Sequence, residues 1–401
     1  MAKWNTEAWD WGFPNFTARN TTMAATVRME GSGVRVVPYT NGRLFDPEIP
    51  DWTEDHASQW ECVGVNGGPY FEKYEPSYNW SQHVMNPAAT YWQEKVSNLS
   101  LYLNQQARYS GVYNDAVTSP PQVCASPNNG AHTFMAGSAW VDGVREMWRQ
   151  LRDKAGPGKM IMSESNAEAY VGTLDANLAI YGFRSCGKVP AFQSVYADHT
   201  VLVGAIGMDI LMGKASGAGS FAGTGRWAAG ATTDEDRSAY RALLAEQLNF
   251  GSQLGWLDAA QALGFFNDSA AELEYTRRLV RLKTDYQRFL TVGRLLRPPR
   301  VISAMPRVNL TGSSIQVGSC ELDIVLSSAW ADGNGSAIWL AVNQGKVAVD
   351  VTVRLRVDDA SIAVRRHSVA EAQGWRRLHP ELKEVELSAH VPALSGVVVE
   401  L

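Results

Sequence analysis

The sequence predicts an α/β protein: a parallel (β/α)8 barrel of the TIM type, short of strands at its N-terminal end, followed by an antiparallel β-sandwich. Three observations lead there. Apolar runs of strand length alternate with amphipathic helical stretches up to residue 296. From Val301 onward the chain turns to short β-branched runs, several of them alternating, separated by Gly and Asp turns. Two of the early runs also end on an acid: Gly111-Val112-Tyr113-Asn114-Asp115 and, with its acid 49 positions further on, Lys159-Met160-Ile161-Met162-Ser163-Glu164. Parallel barrel strands bring their C-terminal tips to one face, where catalytic groups collect. The Pro298-Pro299 pair marks a boundary, giving a barrel domain over 1–296 and an all-β domain over 297–401.

Residues 1–33 carry Trp and polar side chains without periodicity, and Trp9-Asp10-Trp11-Gly12-Phe13 is a candidate strand end. Val34 to Tyr39 is β-branched, follows Gly33 and reads as the first convincing strand. It opens into the polar loop Thr40-Asn41-Gly42-Arg43-Leu44-Phe45-Asp46, whose Asn-Gly pair makes a turn. Residues 47–86 form a long loop dense in Trp, Tyr, Pro and Gly, and a loop of that length in a compact domain usually carries function. Asn86-Pro87 starts a helix through Gln106, since Pro is favoured in a helix's first turn. The Gly111 strand comes next, then a Ser-, Pro-, Asn- and Gly-rich loop to Gly137.

Trp140–Lys154 is a helix because Val141, Val144, Met147, Trp148 and Leu151 recur on one face. Gly156-Pro157-Gly158 ends it ahead of the strand that carries Glu164. Asn177–Tyr181 and Phe192–Tyr196 read as strands, 203–231 is rich in Gly and Ala, and Arg237–Phe250 and Ala270–Phe289 read as helices. In the all-β domain, strands are expected at Leu322–Leu326, Ile338–Val342, Val347–Leu355 and Val397–Leu401.

Breaking an acetal takes a proton on the leaving oxygen and a nucleophile, or a base-activated water, on the other face of the ring. Two carboxyl groups in different environments are the minimum equipment. Asp115 follows Asn114, whose amide can donate hydrogen bonds to a carboxylate, and this suits a nucleophile. Glu164 has the longer side chain and sits at the tip of an apolar strand, which suits the general acid/base; Glu168 is the other candidate for that role. A strand-terminal acid is also commonly a helix cap or a solvated charge. Fourteen Trp and fourteen Tyr add flat faces that stack on sugar rings or build cores. Trp52, Trp60, Tyr70 and Trp80 in the long loop fit either use.

Other chemistries find less support. His56, His83, His132 and His199 are scattered and His367, His379 and His390 fall in the β domain, so no metal and no cofactor is expected. Gly213–Gly225 is Gly-rich but follows no strand and lacks the Lys-Ser/Thr ending of a phosphate loop, which leaves a phosphate-binding barrel as a weaker rival. No Gly-X-Ser-X-Gly elbow is present. The net charge of −5 without a basic stripe argues against nucleic acid, and no apolar run reaches membrane-spanning length. Cys62, Cys124, Cys186 and Cys320 have no zinc spacing; a Cys62–Cys124 bridge and four buried thiols both stand open. Met-Ala-Lys-Trp-Asn is no signal peptide, while Asn-X-Ser/Thr triplets begin at Asn15, Asn20, Asn79, Asn98, Asn267, Asn309 and Asn334, so localisation and oligomeric state stay open.

Val36-Val37-Pro38-Tyr39-Thr40-Asn41-Gly42-Arg43, Gly111 to Asp115, Pro120-Pro121-Gln122-Val123-Cys124 and Ser163-Glu164-Ser165-Asn166-Ala167-Glu168 together resemble a family of TIM-barrel glycosidase-like proteins. That family is similar to the endo-α-N-acetylgalactosaminidases and, more distantly, to the α-galactosidases. The resemblance implies a barrel, a C-terminal sandwich and retaining hydrolysis of an α-linked glycan. Asp115 would be the nucleophile and Glu164 the acid/base. Tyr39, Asn41, Arg43, Asp46, Asn114, Asn166 and Glu168 would line the sugar subsite, with Tyr196 and His199 on the same face. The resemblance leaves a catalytically inactive, carbohydrate-binding barrel as the alternative.

Overall fold

The computed structural model describes residues 5, 12–73, 81–118, 121–127, 138–164, 168–179, 190–204, 234–254, 269–311, 319–356, 376–377 and 384–400. The described chain forms two compact units, one up to Leu178 and one from Ala179 on. Trp9 to Trp11, Trp80, Asn166, Cys186 and Gly213–Gly225 lie outside the described residues.

The first unit opens with helix α1 (Asn20–Gly31), which the aperiodic sequence gave no reason to expect. Of its residues only Thr26 is buried, so no apolar stripe exists to be read. Its end is tied down by Glu30, whose carboxyl accepts the Val36 backbone N–H at 3.0 Å and the Ser110 hydroxyl. The Ser110 hydrogen bond holds Glu30 below the usual carboxylate range. The strand expected over Val34–Tyr39 is confined to β1 (Tyr39–Asn41). Residues before it make single contacts, Ser110 N to Val36 O and Tyr113 N to Pro38 O, both at 2.9 Å. Pro38 has no N–H to return, so a regular ladder starts only after it.

The long aromatic loop has a framework of its own. It contains α2 (Pro50–Glu54), β3 (Phe71–Glu72) and β4 (Gln82–Val84), and its two strands join β2 (Leu44–Phe45), just ahead of it, in an antiparallel sheet of order β2-β4-β3. His83 sits between the rings of Trp52 and Phe71, at 4.4 and 4.6 Å, and its Nδ1 pairs with Glu61 Oε2 at 2.5 Å. Helix α3 (Thr90–Gln105) begins three residues later than Pro87 suggested. Asn86 Oδ1 instead accepts the Ala88 N–H in a turn that precedes the helix.

Three more elements complete the unit's described core: β5 (Gly111–Asp115), α4 (Ala139–Ala155) and β6 (Met160–Glu164), followed by β7 (Ala176–Ala179). Helix α4 matches its expected face, burying Val144, Met147, Trp148 and Leu151. Gly143 lets it approach the chain before α3, since a Cβ there would lie 2.7 Å from the Pro87 and Ala88 backbone. β1, β5, β6 and β7 run parallel in that order. Gly111 is required where β5 starts: a Cβ would stand 2.2 Å from Met160 O.

In the second unit, Phe192–Tyr196, expected as a strand, lies in helix α5 (Ala191–Tyr196). Pro190 stands at its N-cap and Pro190 O accepts the Ser194 N–H at 2.8 Å, so the proline starts a helix rather than a strand. Then come β8 (Val201–Gly204), α6 (Asp234–Asn249), α7 (Ala270–Asp285) and α8 (Gln287–Leu290). The helix expected over Ala270–Phe289 is thus broken at Tyr286.

The remaining strands are β9 (Arg294–Leu296), β10 (Arg300–Val301), β11 (Arg307–Thr311), β12 (Ser319–Asp323), β13 (Val325–Ala331), β14 (Ala337–Asn343), β15 (Val349–Arg356), β16 (Arg376–Arg377), β17 (Glu384–Val391) and β18 (Ser395–Glu400). They pair as β9-β13-β14-β18, β10-β15-β17-β16 and β11-β12. The run expected over Leu322–Leu326 is split between β12 and β13 at Ile324, whose N–H goes to Pro306 O. β9, ahead of the Pro298-Pro299 pair, already pairs with β13 beyond it.

β14 is buried at every position, and the two faces explain why. Trp339 and Ala341 join a core with Val351, Val353, Leu387, Ala389 and Val391 of the second sheet. Ile338, Leu340 and Val342 point the other way, into a core with Tyr240, Leu244, Tyr275 and Leu279 of α6 and α7. A strand covered on both faces reads as a continuous apolar run.

Between α6 and α7 the Arg241 guanidinium meets Glu272 at 2.6 Å with both side chains buried. Removing one partner strands a charge in the interior. Glu272→Ala is therefore expected to destabilise this unit by about 3–5 kcal/mol, measured by urea unfolding.

Candidate active site

Asp115 and Glu164 are brought together by strand register. β5 pairs with β6 as Gly111 with Met160 and Tyr113 with Met162, an offset of 49 that also separates the two acids. They therefore stand at one level on neighbouring parallel strands, both at C-terminal tips and both half-buried. On the other side of β5, Asn41 is the partner of Asp115 and Tyr39 of Tyr113. Side chains two residues apart on a strand share a face, so Tyr39, Tyr113, Asp115 and Glu164 all project to the same side.

The hydrogen bonds follow from that arrangement. Tyr39 donates its hydroxyl to Asp115 Oδ2 at 2.9 Å, and Tyr113 donates to Asp115 Oδ1 at 2.9 Å. The same Tyr113 oxygen is 3.3 Å from Glu164 Oε2. Those two carboxyl oxygens thus lie no more than 6.2 Å apart, the sum of the two contacts to one shared atom. Tyr113 is only 6% exposed. Burial, then the charges of Asp115 and Glu164, push its hydroxyl well above the ordinary phenol range. The rings of Tyr39 and Tyr113 meet edge to face at 5.7 Å, and Phe13 packs on Tyr39.

The opposite face of the same strands carries a buried polar row. Thr40 donates to Asn114 Oδ1 at 2.6 Å, Ser163 donates to Asn114 O at 2.6 Å, and Thr118 and Ser163 are hydrogen-bonded at 3.2 Å. Asn114, expected to serve Asp115, is here turned away from it. Neighbouring strand residues point to opposite faces, and Asn114 is fully buried behind the acid. The donors are the tyrosines instead. Tyr113 had a signal in the sequence, being two residues before the acid; Tyr39 as a donor to Asp115 needed the β1–β5 pairing.

The strand stops abruptly at the acid. Ala116 takes φ 60°, a left-handed conformation that a residue with a Cβ rarely adopts. Gly42 N–H bonds Asp115 O at 3.3 Å, and a Cβ on Gly42 would stand 2.4 Å from Val117 Cγ2.

The other expected site residues divide by location. Asn41 Oδ1 accepts the Arg43 and Leu44 N–H groups, both at 2.9 Å, and so shapes the turn after β1. Arg43 is buried, paired with Glu72 at 2.7 Å and 5.1 Å over the Trp140 ring. Asp46 accepts Gly12 N–H and Glu48 N–H, each at 2.9 Å, fastening the segment around Phe13. These three hold the loop rather than present polar atoms to solvent. Glu168 is exposed and begins a turn of 3-10 helix whose Tyr170 is buried. Tyr196 and His199 belong to the second unit, where Tyr196 packs on Phe192 and the His199 side chain is 61% exposed. Trp60 stacks on Tyr91 at 5.8 Å and Tyr70 donates to Val123 O at 3.2 Å, so both are engaged in packing the loop. Among the described residues no cluster of His, Cys, Asp and Glu could hold a metal ion, and no helix is long and apolar enough to cross a membrane.

Residues 1–206, which include β1, β5 and β6 with both acids, match the model of a domain of unknown function, DUF6259. The chain belongs to the DUF6259 family. Two curated relatives of this DUF6259 protein bear the name "Putative glycoside hydrolase". One, from Monosiga brevicollis, is 27% identical over 57% of the chain and 18% of its own length. The other, from Bacteroides thetaiotaomicron, is 22% identical over 87% of the chain and 48% of its own length. The chain thus spans less than half of either relative. Among solved structures, a debranching enzyme of Nostoc punctiforme shares the fold, with a TM-score of 0.51, 12% identity and coverage of 95% of this chain and 79% of that one.

The DUF6259 protein also brings Cys62 and Cys124 together. Both are buried thiols, and Cys62 donates a hydrogen bond to Cys124 Sγ. That bond pushes the Cys62 thiol up and holds Cys124 down. Ala125 N–H bonds Val63 O at 2.6 Å, so the two segments are paired through their backbones. Exposure of the native protein to a small-molecule disulfide is expected to link Cys62 to Cys124 specifically, seen as one cross-linked peptide pair by mass spectrometry. Linkage through other cysteines, with this pair still reduced, would contradict the packing described.

Proposed function

We propose that this protein is a glycoside hydrolase with a retaining mechanism on an α-linked glycan, Asp115 acting as nucleophile and Glu164 as general acid/base. In this reading residues 1–296 form the catalytic β/α barrel and 297–401 a β-sandwich. The observation that carries it is the pair of strand-tip carboxyl groups whose facing oxygens lie within 6.2 Å. The names of the two curated relatives support a glycoside hydrolase, and the resemblance to enzymes of α-linked glycans supports the retaining mechanism and the α-linkage.

In the first half-reaction Asp115 attacks the anomeric carbon while Glu164 protonates the departing oxygen. In the second, Glu164 takes a proton from water as that water displaces Asp115. Two phenolic donors on Asp115 orient its carboxylate for attack. Asn166 and Glu168, just beyond Glu164, are assigned with Tyr39 to the sugar subsite.

The test is hydrolysis of a panel of α- and β-linked aryl glycosides by the wild type, Asp115→Asn and Glu164→Gln. Both variants are expected to lose at least about a hundredfold in kcat with folding intact. Glu164→Gln should hurt substrates with poor leaving groups more than those with good ones, because only the former need the proton. The first product formed, read by NMR, should keep the α configuration. Wild-type rates in both variants would overturn the reading. Glycan binding without turnover in the wild type would replace it with a carbohydrate-binding protein.

A further inference from the structure

One hydrogen on Tyr113 faces two carboxyl groups. Its oxygen stands 2.9 Å from Asp115 Oδ1 and 3.3 Å from Glu164 Oε2. A phenol has a single O–H and two lone pairs, so it can donate to only one of them. The titratable groups facing it are Asp115, Glu164 and Tyr39. Burial and the carboxylates hold its proton firmly in place, so Tyr113 stays a neutral phenol. The shorter contact goes to Asp115, whose other oxygen already accepts from Tyr39 at 2.9 Å. With the Tyr113 hydrogen committed there, the contact to Glu164 contains a hydrogen only if Glu164 supplies it. Two lone pairs facing each other without one, around a buried oxygen, would be repulsive.

We infer that Tyr113 is a positioning residue that apportions protons between the two carboxyl groups: in the resting protein its O–H points to Asp115 while a protonated Glu164 donates to its lone pair. This rests on the glycosidase reading of the pair. The hydrogen count then accompanies each half-reaction. An Asp115 oxygen bonds the anomeric carbon, the bond to the leaving oxygen breaks, and that oxygen's electron pair takes the Glu164 proton. Asp115 is now an ester and a poor acceptor, and Glu164 is a carboxylate. The Tyr113 O–H rotates toward Glu164, the stronger acceptor. When water enters, its proton goes to Glu164, its oxygen bonds the anomeric carbon, and the electron pair of the broken ester bond returns to Asp115. The Tyr113 hydrogen then turns back. The phenol never ionises.

Tyr113→Phe keeps the ring that packs against Tyr39 and removes only this oxygen. The acid limb of the kcat/KM profile, which requires ionised Asp115, is expected to rise in pH. The alkaline limb, which requires protonated Glu164, is expected to fall, so the limbs draw together. The rate at the optimum should drop by about tenfold to a hundredfold, as for lost hydrogen bonds to charged groups. Tyr39→Phe removes a donor from Asp115 and leaves the Tyr113 contact to Glu164 in place, so it should move the acid limb and not the alkaline one. A slower Tyr113→Phe with both limbs unmoved would mean a merely structural residue and would overturn the proposal.

A second readout does not need turnover. The infrared difference between wild type and Glu164→Gln near neutral pH should show the carbonyl stretch of a protonated carboxyl, and the band should vanish in Tyr113→Phe. A wild type without that band overturns the assigned hydrogen. Failure of the glycosidase reading looks different: the band is present, yet Asp115→Asn and Glu164→Gln leave turnover unchanged.

Discussion

The register between β5 and β6 is the constraint on which the rest of the first unit depends. A parallel pair offset by 49 residues sets Asp115 and Glu164 at one level, and a slip of one residue would turn one acid to the far face. Several features keep that register. Gly111 lets β6 pass against the start of β5, Ser163 reaches across to the Asn114 carbonyl, and the Lys159 ammonium caps the Tyr109 carbonyl at 2.6 Å just before β5. The face that carries the two acids therefore takes its geometry from backbone pairing between strands and not from its loops.

The polar row behind the acids has a cost and a use. Thr40, Asn114, Ser163 and Thr118 are all buried, and each buried polar group left unsatisfied would cost about 1–3 kcal/mol. Their mutual bonds offset most of that, although Asn114 Nδ2 has no hydrogen-bond partner among the described residues. An apolar row would pack at lower risk but would not hold strand tips to a fixed rotation. The left-handed Ala116 next to Asp115 is a local cost of the same kind, about 1–2 kcal/mol, and it falls where the strand ends at Asp115.

The aromatic loop and the second unit show the same chemistry used for different ends. Trp52, Trp60 and Tyr70 are engaged by His83, Tyr91 and the Val123 carbonyl, which makes them the framework of the loop carried between β1 and α3. In the second unit, one sheet serves two cores. Its central strand is apolar at alternating positions toward a second sheet and at the intervening positions toward helices α6 and α7.

The sequence by itself determined the strongly periodic elements and the two acids. Helix α4 was legible because five apolar residues repeat along one stripe, and β14 because its apolar run is unbroken. The strand-tip carboxylates were legible because a charge directly ending a β run is a local signal, and their spacing proved to be the strand offset itself. Elements without a buried stripe stayed hidden: α1 buries one residue, and α5 is a short helix started by a proline, with a composition that also suits a strand. Only the tertiary structure decided which neighbours the acids have. Asn114 is adjacent in the chain yet faces away, whereas Tyr39, 76 positions upstream, donates to Asp115. Asn41, Arg43 and Asp46 have the side chains of a sugar subsite, but each is spent on a turn, an ion pair or a loop anchor. Sequence records which groups exist and how they repeat. Which face they reach, and what hydrogen they share, is fixed by pairing between strands distant in the chain.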